Sequence, residues 1–325
     1  MWLDSRSRVY KTGNPMADLR QFEALRAVHA EGSVTAAARR LGWGQPTVDY
    51  HLKNLERLIG SPVLARSPRG STLTPVGMLL LDRAQQILTL SERAIGDARE
   101  FGALGRVLLR FGTFATAAAS ILPFVAASVG DLGIQIDATV EEVPALVDRI
   151  NRGALDAALV YTVPGYELPF SPAVTALEVH RDPLMLALPA GHPLASRPAI
   201  DRAGLLSLRD ERWLFATSAD DAIDRVVADA FAAEGHILDV AIRSDDFQVL
   251  LGMTAARMVV GVIPRLATTA EHPGIVLRPI DDPSFVRSIL VATSSPEDAR
   301  HRPSAAVRQL VAAVRDGFAA LRASM

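Results

Sequence analysis

Cysteine is absent from the 325 residues, which excludes disulfides, thiolate metal sites and cysteine nucleophiles. No apolar run reaches the roughly 18 residues that a membrane helix needs, a length set by bilayer thickness. The opening stretch MWLDSRSRVYKTGNPMADLR has no apolar central region, so no secretory signal is expected there. A cytoplasmic chain with no membrane partner is the expectation. Metal-ligand spacing is missing as well: the seven histidines, at 29, 51, 180, 192, 236, 272 and 301, are scattered. There is no His-x-x-x-His pair, acidic metal cluster, phosphate loop or Gly-x-Ser-x-Gly turn. An enzyme is therefore not expected, and neither is a cofactor or a metal.

Net charge is nearly absent too, at −2, but the total hides an asymmetry. Residues 1–77 hold 11 Lys/Arg against 6 Asp/Glu, a net +5, whereas residues 78–325 hold 23 against 30, a net −7. Basic charge gathered at one end suits a polyanionic partner, although an excess of five does not decide the matter. With 49% hydrophobic residues, the chain is long enough for two to three globular modules. Residues 1–15 are polar, with Gly13 and Pro15. They read either as a flexible leader or as an extension foreign to the working chain, Met16 being an alternative start.

Residues 18–60 carry three helical patterns. In DLRQFEALRAVHAEG, Asp18 is a plausible N-cap, Leu19, Phe22, Leu25, Val28 and His29 share a face, and Gly32 is a stop. His29 on that face reads as core. In SVTAAARRLG, Ser33 caps, Val34, Ala37, Ala38 and Leu41 face inward, and Gly42 ends the helix. QPTVDYHLKNLERLIG follows, with Pro46 in its first turn and Val48, Leu52, Leu55 and Ile59 as its buried stripe. Residues 61–74, SPVLARSPRGSTLT, read as a two-stranded wing. Thr74 then caps a long helix whose Leu81, Ala84, Leu88, Ser91, Ile95 and Ala98 recur at alternating steps of three and four. That seam is either core or, having no obvious cover within the chain, a dimer contact.

From Gly105 onward, strand and helix patterns alternate, as in parallel α/β sheets. Strands are expected at 106–112, 134–140, 155–161, 212–218, 240–244 and 259–264, with two more in IVLRPI and RSILVATS. Helices are expected at 116–129, 143–153, 221–235, 247–258 and 304–323. Residues 174–195 read as two strands with a turn. The length suits two small lobes, with a ligand cleft at the carboxyl ends of the strands.

These residues resemble a known family. AAARRLGWGQPTVDYHLKNLE, then LIGSPVLARSPRGSTLTPVG, then the long helix are similar to LysR-type transcriptional regulators, and the layout of the remainder is similar throughout. Ala38, Gly42 and Val48 stand at helix-turn-helix spacing, joined by Leu55-Glu56, an Arg-bearing wing and Leu73-Thr74-Pro75-x-Gly77. The resemblance implies an α/β chain with an α-rich winged helix-turn-helix domain at 16–74 and a linker or dimerisation helix at 75–103. It further implies a two-lobed effector domain at 104–325, like periplasmic binding proteins: lobe I at 104–171 and 268–325, lobe II at 172–267. The expected partners are double-stranded DNA, a small-molecule effector and the chain itself, as a dimer or a tetramer. A solute-binding protein without a DNA role is the rival that residues 105–325 alone would allow.

The second helix of such a motif enters the major groove by its first turns. Its non-core positions are Gln45, Thr47, Asp49, Tyr50, His51 and Lys53, beside Pro46, with Thr35 on the preceding helix. Gln45 can make paired contacts to adenine, and Thr47 can touch a thymine methyl or a phosphate. Lys53, Arg66 and Arg69 suit phosphates; Arg39 and Arg40 suit either phosphates or a solvated face. The chain departs from the family at Gly44, where serine is usual, and at Asp49 and Tyr50. Asp49 either accepts from cytosine or stabilises its own helix N-terminus.

In the effector domain, GTFATAAAS (112–120) corresponds to a cleft-facing loop that runs into a helix. Thr113, Phe114 and Thr116 are candidates there, and the Thr116 hydroxyl with nearby backbone N–H groups would suit an anion. The alternative for Thr116 is helix capping. Tyr161, Thr162, Ser218 and Phe247 are further candidates by topology, while Asp220 and Asp221 oppose a strongly anionic ligand at their end.

Overall fold

Side chains supplied by the sequence set the helix starts. In the computed structural model, which describes residues 16–67, 70–219, 221–267, 272–294 and 304–324, Asp18 caps α1 (Leu19–Glu31) through a capping box with Gln21. Ser33 accepts the Ala36 N–H at the start of α2 (Val34–Leu41). Helix α3 (Gln45–Ile59) starts at Gly44 without a side-chain cap. The leader expected at 1–15 lies outside the described residues. The chain divides between Arg99 and Glu100 into two compact units.

The first unit packs Phe22, Leu25, Val28, Ala37, Ala38, Val48, Leu52 and Leu55 into one core with Leu81, Ala84 and Leu88 of α4 (Pro75–Leu104). The first half of the expected dimer seam is thus core of its own unit, because burying each leucine yields about 1.5–3 kcal/mol. A different face of α4 stays apolar and open, with Leu79 69%, Ile87 42% and Leu90 65% exposed. Three other residues expected inside are outside: Leu19 and Ile59 are exposed, as is His29 in the last turn of α1.

The wing is an antiparallel pair, β1 (Leu64–Ser67) and β2 (Gly70–Leu73). Its surroundings account for the motif residues. Glu56 accepts the Val63 N–H at 3.0 Å, which ties the end of α3 to the wing. Thr74 donates to the Pro62 carbonyl at 2.8 Å and accepts the Gly77 N–H at 3.0 Å. A Cβ at Gly77 would lie 2.2 Å from the Val63 carbonyl oxygen, so only glycine fits there.

The second unit is built on one seven-stranded sheet. Strands β3 (Val107–Thr113), β4 (Ile134–Val140) and β5 (Ala157–Thr162) are parallel, and β11 (Val286–Ser294) pairs antiparallel with β5. Next to β11 lies β6 (Val174–Pro189), followed by β9 (Gly261–Pro264) and β10 (Ile275–Pro279). Helices α5 (Ala115–Gly130), α6 (Val143–Asn151) and α10 (Ala305–Ser324) cover the first half. The second half carries α7 (Arg202–Leu206), α8 (Ala222–Ala232), α9 (Phe247–Ala255) and the parallel pair β7 (Arg212–Phe215) and β8 (Asp239–Arg243).

Residues 174–189 form a single strand of 16 residues, not two strands and a turn. Its first part, Val174–Pro183, pairs with β11, and from Leu184 it pairs with β9 and β10. Pro183, which reads as a turn residue, sits at this change of partner. The changeover also moves the lobe limits expected at 172 and 268: Val174–Pro183 pairs in the first half and β10 in the second.

Candidate functional site

Helix α3 owes its position to Val48, Leu52 and Leu55, all buried. Its outward side shows Gln45, Pro46, Thr47, Tyr50 and Lys53, with Tyr50 63% exposed and Asp49 half-buried. Arg57 extends that side one turn past Lys53, where its guanidinium donates to Asn54 at 2.8 Å. Sequence reasoning passed over Arg57, although its step of four from Lys53 was the available signal.

His51, expected at the groove, is instead buried, with its ring 5.3 Å from Trp43 and 5.6 Å from Tyr50 between centroids. Position 51 lies three residues after Val48 and four before Leu55, which places it on the core stripe. Thr35 is better placed than its sequence context promised: its hydroxyl donates to the Gln45 side-chain oxygen at 3.1 Å. That bond holds the amide beside the N-terminus of α3 and leaves its NH2 donors to point outward. Arg40 pairs with Glu31 at 2.9 Å, as befits a solvated face. In the wing, Arg66 stands opposite Ser71; its side chain and the whole of Arg69 lie outside the described residues.

The second unit contains an open cleft whose space, counted out into solvent, is about 680 Å³. Four of the seven candidates meet there: Phe114, Thr116, Tyr161 and Phe247. Thr113 is fully buried and its hydroxyl turns back to the Phe114 carbonyl. Thr162 donates to the Tyr166 carbonyl within its own turn. Ser218 lines an adjoining depression beside Arg225 and His236, which shares Phe215 and Asp224 with the cleft. Those three are not brought to the cleft.

The cleft floor is an ion pair that sequence reasoning missed. Arg287 on β11 reaches Asp182 on β6, with Nη2 at 2.8 Å and Nε at 2.9 Å from the same carboxylate oxygen. The other Asp182 oxygen accepts the Leu266 N–H at 3.1 Å. Arg287 Nη2 also donates to the Thr116 hydroxyl at 2.7 Å. Thr116 is therefore not the cap of α5, which starts at Phe114 without a side-chain cap. The guanidinium lies 5.0 Å from the Phe114 ring centroid and 4.8 Å from that of Tyr161, a cation–π seat. The available signal was Arg287, the single charge of β11; Asp182 stands out less, because β6 also carries Glu178 and Arg181.

The walls are acidic. Glu142 precedes α6, Asp221 caps α8, Asp224 lies within its first turn and Asp245 follows β8. Burial, then the nearby Asp221, pushes the Asp224 carboxyl up to about 7, against the pull of the Ala216 N–H. Burial, followed by Asp245 and Asp221, also raises Glu142. Tyr161, raised by burial and by Asp221, donates to that aspartate at 3.4 Å. The anion-binding loop expected at Thr116 thus opens onto four carboxylates.

Comparison with known proteins agrees with this architecture. Residues 19–78 match the family described as bacterial regulatory helix-turn-helix protein, lysR family. Residues 104–319 match the LysR substrate binding domain. The small neutral protease regulatory protein of Streptomyces lividans is 32% identical over 289 residues, covering 87% of this chain and 80% of that protein. The probable cat1 operon transcriptional activator of Acinetobacter lwoffii is 27% identical, covering 87% and 92%. Among solved structures, full-length CbnR complexed with its target DNA shares the fold at a TM-score of 0.57 and 21% identity, covering 92% of this chain and 99% of that one. A full-length OxyR variant from Pseudomonas aeruginosa shares it at 0.56 and 23%, covering 92% and 98%. The chain belongs to the LysR-type transcriptional regulators, with a helix-turn-helix domain for DNA and a C-terminal effector-binding domain.

Proposed function

We propose that α3 reads operator DNA with Gln45, Thr47 and Tyr50 while Lys53 and Arg57 hold the phosphates. The wing arginines Arg66 and Arg69 are expected to add backbone or minor-groove contacts. The observation that carries this reading is the outward side of α3, whose polar residues have no part in the core. Asp49 and Tyr50 replace the residues usual in the family, so the chain's own sequence preference is expected to originate there.

The acidic cleft is the effector site in this reading, and the open apolar face of α4 at Leu79, Ile87 and Leu90 is the dimer contact. A dimer would present two copies of α3 to successive major-groove faces of a duplex. Such a regulator works in the cytoplasm, where the DNA is. A gel shift of the full-length chain on promoter fragments tests the proposal. Binding that weakens steeply as salt rises is expected, and no salt-sensitive binding to any fragment would refute it.

A further inference from the structure

We infer that the cleft accepts a cationic small molecule: an amine or guanidine carried on an aromatic or apolar body. This deepens the proposed function and rests on the cleft being the effector site. The acids do not make the site; its shape and walls do. The cleft is framed by Phe114, Tyr161, Phe215, Phe247, Leu250 and Val262, the aromatic and apolar lining of a small-molecule pocket. The carboxylates then decide the ligand's charge.

Four carboxylates line the cleft and one guanidinium does. That guanidinium, Arg287, is already matched by Asp182, both 2% exposed or less. Among the described residues, none of the four wall carboxylates forms an ion pair with a basic side chain. Their partners are neutral donors: Ile223 and Asp224 N–H and the Tyr161 hydroxyl for Asp221, the Ala216 N–H for Asp224, and Thr217 for Asp245. Arg243, which acts electrostatically on Asp224, is exposed and donates to the Ala216 carbonyl. An anion entering the cleft would meet like charge on three walls, whereas a cation would find acceptors together with ring faces. The Asp224 carboxyl, raised first by burial and then by Asp221, fits the same balance, because an arriving cation offsets the neighbouring negative charge.

The test uses the full-length chain and matched probes of opposite charge: benzylammonium with benzoate, phenethylammonium with phenylacetate, and butane-1,4-diammonium with succinate. Thermal shifts at millimolar concentration are expected from the ammonium member of a pair, with at least tenfold tighter binding than its carboxylate. The Asp224→Asn/Asp245→Asn double variant should lower ammonium affinity at least tenfold without lowering the ligand-free melting temperature. Shifts from the carboxylates alone, or from neither series, would overturn the inference. Filling the cleft with Ala115→Trp tests the underlying site separately. Loss of all probe binding locates it in the cleft whatever its charge preference, whereas binding unchanged by that substitution would refute the effector reading itself.

Discussion

Arg287 and Asp182 pair at 2.8 Å where β6 changes partners, and both are almost completely buried. The pair lies within the first half of the second unit, and the other Asp182 oxygen reaches the second half by accepting the Leu266 N–H at 3.1 Å. Arg287→Ala would leave the Asp182 carboxylate buried without a counter-charge, at a cost of about 3–5 kcal/mol. Replacing both by apolar residues, Asp182→Leu with Arg287→Met, should recover much of that loss, as read by urea unfolding. Equal losses in the single and double variants would mean that packing, not charge, dominates there.

Gly44→Ser should stabilise the first unit. The glycine offers α3 no side-chain cap, and a Cβ there meets only Pro46 and Thr47 at 3.6 and 3.7 Å. The expected gain is a few tenths of a kcal/mol from the cap and roughly 0.4–1 kcal/mol from the stiffer unfolded chain. A rise in melting temperature checks it.

Thr35 and Gln45 should act together in DNA recognition. Gln45→Ala is expected to cost about 1–3 kcal/mol and to relax preference at one base position. Thr35→Val should weaken the same preference less, because it frees the amide without removing it. Lys53→Ala and Arg57→Ala should weaken all sequences alike and reduce the salt slope by about one each. Binding measured over a salt series separates these outcomes.

Asp224 should make stability fall as pH rises. With its carboxyl pushed up to about 7 against an ordinary 3.8, the folded chain keeps a proton that the unfolded chain releases. Between those values the folded state binds more protons, so stability declines with pH through that window. The repulsion comes from Asp221 and Asp245, with Arg243 opposing it; Tyr161, Glu142 and Arg287 face the same cleft. Asp224→Asn should flatten the decline between about pH 4 and pH 7 in denaturant titrations.

Leu90→Glu on the open face of α4 should yield a folded monomer. Leu90 is 65% exposed and takes no part in the core of its own unit. Unchanged mass by light scattering would place the dimer contact elsewhere.

Much of the fold was legible because local chemistry agrees with it. Asp18, Ser33 and the glycines punctuate α1 and α2, and strand–helix alternation gives the second unit. Two kinds of residue escaped. His51 is polar in type but occupies a core position, so reading by type misplaced it where reading by spacing would not. Asp182-Pro183 looks like a turn, yet the proline falls where β6 exchanges neighbours and the aspartate finds Arg287 from 105 residues away. The acidic cleft was only half visible: Asp221 stood out as a charge near Ser218, whereas Glu142, Asp224 and Asp245 converge through tertiary folding alone.

Selection of duplexes from a random pool by the full-length chain tests the account most directly. Sequence-specific reading by paired copies of α3 predicts convergence on two related half-sites, one helical turn or a multiple apart. Gln45→Ala should change the base preferred within each half-site. A pool that fails to converge, or a wild-type consensus that the Gln45→Ala protein reproduces unchanged, would contradict it.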